Sequence, residues 1–158
     1  MIEGLVVAIA FLTLAKGKQV VAKVTSGRPF LTKPWYNHLI SRARFHRIPE
    51  TIALSLVKQE SGGNEKAIGS AGEIGLLQLK QAVAIDYIRV NGLAVNIKDV
   101  GDNIEAGLWY LSWLRDKWRL SLPDALLAYN SGIGNFQDGD IQNPKYASQI
   151  IDRASQWT

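Results

Sequence analysis

From Pro34 onward, apolar residues return every third or fourth position and sustained alternation is rare, a spacing that predicts helices rather than strands. Tyr36, Leu39, Ile40 and Ala43 share one side of a helix over 34–46. Pro49 suits the first turn of a second helix, which Ile52, Leu56 and Val57 pack and which ends near Glu60. A third is predicted over 76–90, with Leu79, Val83 and Ile88 inward and Asn91-Gly92 as its stop. Asp102 is the expected N-cap of a fourth, running to about Trp118 through Ile104, Leu108 and Leu111. Pro123 opens a fifth ending at Tyr129-Asn130, and Pro144 opens a last one carrying Tyr146, Ile150 and Ile151. The expected fold is all-α, and α+β lysozyme-like at most. Weak β-character around Gly72 to Gly75 and Leu93 to Ile97 leaves room for a small ribbon.

The pattern changes before residue 34. Gly4 to Ala15 is an uncharged, mostly apolar run, and as a helix it would span about 18 Å, short of the roughly 30 Å hydrocarbon core of a bilayer. Three readings stay open for residues 1–15: a secretory signal with Thr13-x-Ala15 as its cleavage site, an uncleaved anchor with Lys16 and Lys18 snorkelling, or an ordinary buried helix. Residues 16–33, with Gly17, Gly27 and Pro29, are expected to form a basic linker, followed by one catalytic domain over 34–158.

Charge supports this division. Residues 1–48 carry a net +7 and the rest a net −3, within a chain of +4. The basic part suits an anionic membrane surface, whereas a nucleic-acid enzyme more often surrounds its own site with cations, so no nucleic-acid partner is expected. At 158 residues the chain is long enough for a sizeable core. It has no cysteine, which excludes a thiol nucleophile and thiolate metal sites and says little about compartment.

Candidate chemistry centres on Glu60. It follows Leu56 by four residues and Val57 by three, so a helix places it on their buried face, and apolar surroundings raise a carboxyl pKa into the range a general acid needs. Glycines at 62, 63, 69, 72 and 75 follow and allow close backbone approach to a ligand. Taken alone, this is equally a helix-terminal glutamate capped by its own Ser-Gly-Gly turn. Three further blocks come in order: Ser70-Ala71-Gly72-Glu73-Ile74-Gly75-Leu76-Leu77-Gln78, then Asn103 to Leu111, then Ala128-Tyr129-Asn130-Ser131-Gly132.

With Glu60-Ser61, these blocks resemble the soluble lytic transglycosylase family, whose catalytic domain has the goose-type lysozyme fold. The resemblance covers roughly residues 34–150. It implies cleavage of the bond between N-acetylmuramic acid and N-acetylglucosamine in peptidoglycan glycan strands, with closure of a 1,6-anhydro ring and no cofactor. It implies Glu60 as acid and then base, and Ser61 and Ser70 as hydrogen-bonding groups near it. Gln78 would bind an acetamido sugar, Tyr129 would bring its hydroxyl close to Glu60, and Asn130 would support that loop.

Two positions depart from the family pattern. Leu77 replaces a usual Met and is expected to keep an apolar groove wall. Glu73 stands where Ala is common. It is either a solvent-facing carboxylate paired with a lysine or a second acid that activates water, which would make the chain a hydrolytic muramidase; a chitinase-like enzyme on the same fold would need Glu73 or another acid near the groove. A non-catalytic glycan-binding virion protein is the rival from another class. The absence of a separate wall-binding stretch suggests local wall opening for a phage particle or a secretion or conjugation machine, at the periplasm, cell envelope or virion membrane.

Other side chains are expected to be structural. Asn103 ties a helix start, Gly107 allows close packing, and Trp109, Tyr110, Trp113 and Trp118 serve packing, with one of them available to line a sugar subsite. His38 and His46 lack a third ligand and are expected to be exposed, so no metal is expected. Asp138-Gly139-Asp140 reads as a turn, and Ser131 to Asn135 is not a phosphate cradle.

Overall fold

A computed structural model of the chain describes residues 29–157, so residues 1–15 and most of the basic linker lie outside the described residues. Seven helices are described: α1 (Tyr36–Phe45), α2 (Glu50–Glu60), α3 (Gln81–Asn91), α4 (Val100–Trp118), α5 (Leu122–Ser131), α6 (Ile133–Gln137) and α7 (Tyr146–Ser155). Among the described residues β-structure is limited to isolated bridges, Ile68 with Ile74 and Ile74 with Leu79, and the fold is all-α. No described helix is long and apolar enough to cross a membrane.

The core is built around α2 and α4. In α2 six consecutive residues from Ile52 to Val57 are buried, so this helix is enclosed on most sides, by α1 and α7 among others. Its one buried polar side chain, Ser55, donates to the Ile150 carbonyl of α7 at 2.8 Å, which removes the cost of an unpaired hydroxyl. α4 buries Ile104, Leu108 and Leu111 completely and packs on α1, α3 and α5. α7 turns Tyr146, Ala147, Ile150 and Ala154 inward against α2 and α5.

The predicted third helix is too long at its start. Residues 76–80 form a tight turn instead, because Gly75 at φ +80° and Gln78 at φ +45° break helical geometry and Ile74 exchanges both backbone hydrogen bonds with Leu79, at 3.0 and 2.9 Å. Leu79 is buried from this turn and not from a helix face. Within α3 the inward side is Val83, Ala84 and Tyr87, while Ile88 is 43% exposed. The Leu93–Ile97 stretch forms no strand.

Helix starts also shift. α4 is capped by Asp99, whose side chain accepts from the Gly101 and Asp102 amides, and Asp102 instead accepts from the Asn96 amide. Ser121 caps α5, and the short α6 was not expected. His46, expected to be exposed, is buried: its Nε2 lies 3.2 Å from Glu105, which also binds Arg42 and the Tyr87 hydroxyl. This cluster joins the C-terminal halves of α1 and α3 to the N-terminal half of α4.

Candidate active site

Glu60 is the last residue of α2, where the helix gives way to Ser61-Gly62-Gly63 with both glycines at positive φ. Its partly buried carboxyl faces a cleft of about 360 Å³. The cleft walls come from the loop after α2 (Gly69, Ser70, Glu73, Gln78), the start of α3 (Ala82, Val83), and the end of α5 (Tyr129 to Gly132). Burial raises the Glu60 pKa from 4.5 to about 7, Glu73 adds to the rise, and a hydrogen bond from Tyr146 opposes it. A group so placed is about half protonated at neutral pH and can give or take a proton.

The hydroxyl that donates to Glu60 Oε1 is that of Tyr146, from the first turn of α7. In the sequence Tyr146 is one of the apolar positions of the last helix, and its place at the start of that helix carries no signal of a polar role. Tyr129, buried at the end of α5, donates instead to the Leu77 carbonyl at 2.9 Å. It still lines the cleft near enough for the Glu60 charge to contribute to its raised pKa, behind the larger effect of burial.

The loop that carries Gln78 is held from beneath. Ser61 Oγ donates to the Leu76 carbonyl at 2.8 Å and accepts from the Gly63 amide, so it fastens the helix end to the loop and does not line the cleft. Asn103, buried in α4, accepts the Leu77 amide at 2.8 Å and donates to the Ile74 and Ile97 carbonyls. A side chain at Gly107 would stand 2.6 Å from Leu77 Cδ1, so the glycine is what lets the loop settle on α4. Leu77 is therefore wholly buried beneath the cleft, and the apolar wall expected of it is supplied by Leu79, Ala82 and Val83.

Gln78 sits in the left-handed region and donates from Nε2 to the Gly75 and Ala67 carbonyls at 2.8 and 3.2 Å. That fixes its carboxamide on the cleft wall with Oε1 still free to accept, and a strained residue held this firmly suits a ligand contact. Ser70 and Asn130 are exposed at the rim, and Tyr110 contributes an aromatic face from α4.

Glu73 is paired with a lysine, as in the first of its two expected readings, and it also lines the cleft. Its Oε1 lies 3.4 Å from Lys80 Nζ, while Oε2 accepts the Ala71 amide. Hydrogen bonds from its own amide and that of Ala71, with Lys80 nearby, hold its pKa below the usual value despite partial burial. No group of three or more His, Cys, Asp or Glu able to hold a metal occurs among the described residues.

Membrane-bound lytic murein transglycosylase C of Photorhabdus laumondii is 29% identical over 132 residues, covering 75% of this chain and 37% of that protein. Membrane-bound lytic murein transglycosylase E of Buchnera aphidicola is 32% identical over 92 residues, covering 54% and 42%. The chain thus spans about two fifths of the length of these curated relatives. An inactive mutant of lytic transglycosylase Slt from Pseudomonas aeruginosa superposes with a TM-score of 0.69 at 20% identity, over 78% of this chain and 24% of that one. The 70 kDa soluble lytic transglycosylase of Escherichia coli gives 0.69 at 18% identity with the same coverage, which establishes a shared fold. Residues 38–151 match the family described as Transglycosylase SLT domain, and the chain belongs to that family.

Proposed function

We propose that the chain cleaves peptidoglycan as a lytic transglycosylase, with Glu60 as its one proton-transfer group. The observation that carries this reading is a cleft-facing carboxyl at the end of a buried helix, raised to a pKa of about 7 and hydrogen-bonded by Tyr146. Protonated Glu60 donates to the oxygen between N-acetylmuramic acid and N-acetylglucosamine, and the N-acetylglucosamine end departs with that proton. The resulting carboxylate, stabilised by the Tyr146 hydroxyl, then takes the proton of the muramic 6-hydroxyl, whose oxygen closes on its own anomeric carbon. No water is consumed, and Glu60 ends protonated as it began.

Gln78, Ser70 and Asn130 are the proposed glycan contacts, with Tyr129 and Ser61 holding the loop that positions them. Glu73 does not suit the part of water-activating base. One oxygen is engaged by a backbone amide and the other faces Lys80, so its proton affinity is low. This favours internal ring closure over a muramidase reaction.

A peptidoglycan substrate supports a site of action in the cell envelope, and the basic residues before 34 support an anionic membrane surface as a partner. Service to a phage particle or to a secretion or conjugation machine is part of the proposal, tested by co-purification with such an assembly. For the chemistry, Glu60→Gln should fold and bind glycan yet lose lysis of purified sacculi by at least about a hundredfold. Lysis at the parental rate would refute Glu60 as the acid.

A further inference from the structure

We propose that Glu73 is a specificity-determining residue: with Gln78 it forms a two-acceptor subsite for an N-acetylglucosamine unit with a free 3-hydroxyl, and so sets the register of the alternating strand. The inference rests on the transglycosylase reading for its substrate, while its own support lies in the geometry around Gly69.

Glu73, Gln78 and Gly69 all line the cleft. A Cβ on Gly69 would lie 2.4 Å from Glu73 Oε2 and 2.8 Å from Gln78 Oε1, so two acceptor oxygens flank one bare Cα. Both are held there. Gln78 is fixed by its side-chain nitrogen on the Gly75 and Ala67 carbonyls, and Glu73 by the Ala71 amide on Oε2 and by Lys80 beside Oε1. A carboxylate has about four acceptor positions and an amide oxygen two, so these bonds leave capacity on both oxygens. Oxygens carrying like charge repel each other when they converge, and a donor placed between them relieves the repulsion. Lys80 pairs with Oε1 and leaves Oε2 to another donor. The absent side chain at 69 keeps the approach open.

The chemistry of the strand decides which unit fits. N-acetylglucosamine carries an acetamido N–H and a 3-hydroxyl on adjacent carbons, two donors side by side. In muramic acid the 3-oxygen is an ether to the lactyl group, with or without a peptide attached, and has no proton to give. A free lactyl carboxylate would in addition be repelled by Glu73. In an alternating strand, a preference at one subsite fixes every neighbouring position. It therefore decides which of the two kinds of glycosidic bond meets Glu60.

Binding to the full chain carrying Glu60→Gln tests this without turnover. The probes are the tetramer of N-acetylglucosamine and the same tetramer methylated on its 3-hydroxyls. Adding Glu73→Ala should weaken the free tetramer about tenfold, as for a hydrogen bond to a charged acceptor, and leave the methylated one nearly unchanged. Glu73→Gln keeps an acceptor oxygen without the charge and should retain part of the preference. Equal weakening of both tetramers would make Glu73 a brace for its loop, and no weakening of either would put it outside the subsite; each result overturns the inference. A Glu73-dependent preference in a chain that, unmutated, fails to cleave sacculi would contradict the transglycosylase reading alone. Cleavage of sacculi without that preference would overturn the Glu73 subsite alone.

Discussion

In the proposed reaction Glu60 has to release a proton in one step and take one up in the next, and its surroundings push in both directions. Burial favours the neutral acid, whereas the Tyr146 hydroxyl favours the carboxylate. Activity that needs the protonated form therefore falls as pH rises through about 7. In Tyr146→Phe the stabilising donor is gone, so the Glu60 pKa rises further and the alkaline limb of kcat/KM moves to higher pH. Loss of a hydrogen bond to a charged group should also lower kcat roughly tenfold. A pH–rate profile measures both effects, and an unmoved limb would show that Tyr146 only fills space. Glu60 is singled out in the sequence by the ordered blocks that follow it, since a carboxylate four residues after a leucine and beside a glycine-rich turn is by itself equally a capped helix end. Tyr146 is not: nothing in its local pattern separates a core tyrosine from one that aims its hydroxyl 86 positions back along the chain.

At the scale of elements, the site depends on one loop being held against one helix. α4 supplies the holding groups, with Asn103 satisfying the Leu77 amide and two carbonyls while Gly107 leaves room for Leu77. Asn103→Ala leaves these buried groups unpaired and should destabilise the protein by about 2–3 kcal/mol in urea unfolding. Because the same loop fixes Gln78, KM should rise as well. Full stability in that variant would mean that the loop is held elsewhere. The helical spacing predicted α1, α2 and α4 nearly to their ends, since their apolar faces are decided locally. It extended the third helix through 76–80 because Leu76, Leu77 and Leu79 mimic a helical face. Their burial arises from a turn set by Gly75 and by the left-handed Gln78, a tertiary outcome that spacing alone does not encode.

At the scale of the molecule, the Glu105 cluster ties α1, α3 and α4 on a face that does not line the Glu60 cleft. Burial alone would raise the Glu105 pKa, but hydrogen bonds from His46 and Arg42, with their charges, bring it down to about 2. A carboxylate depressed in the folded state stabilises it at pH above the unfolded value of 4.5, and this support is lost as pH falls from there to about 2. The Glu105 side chain is 21% exposed, so the contribution at neutral pH is on the order of 2 kcal/mol. Glu105→Gln should unfold more readily than the parent at pH 7 and differ little from it near pH 2, as followed by circular dichroism against denaturant. An equal gap at both pH values would remove Glu105 from the account of acid stability.

The central claim is that a single carboxyl, serving as acid and then as base, closes an internal ring without water. Mass measurement of the muropeptides released from purified sacculi tests it most directly. Muramic ends one water lighter than reducing ends, present from the earliest time points, are the result expected here. Reducing ends alone would contradict it and make the chain a hydrolase.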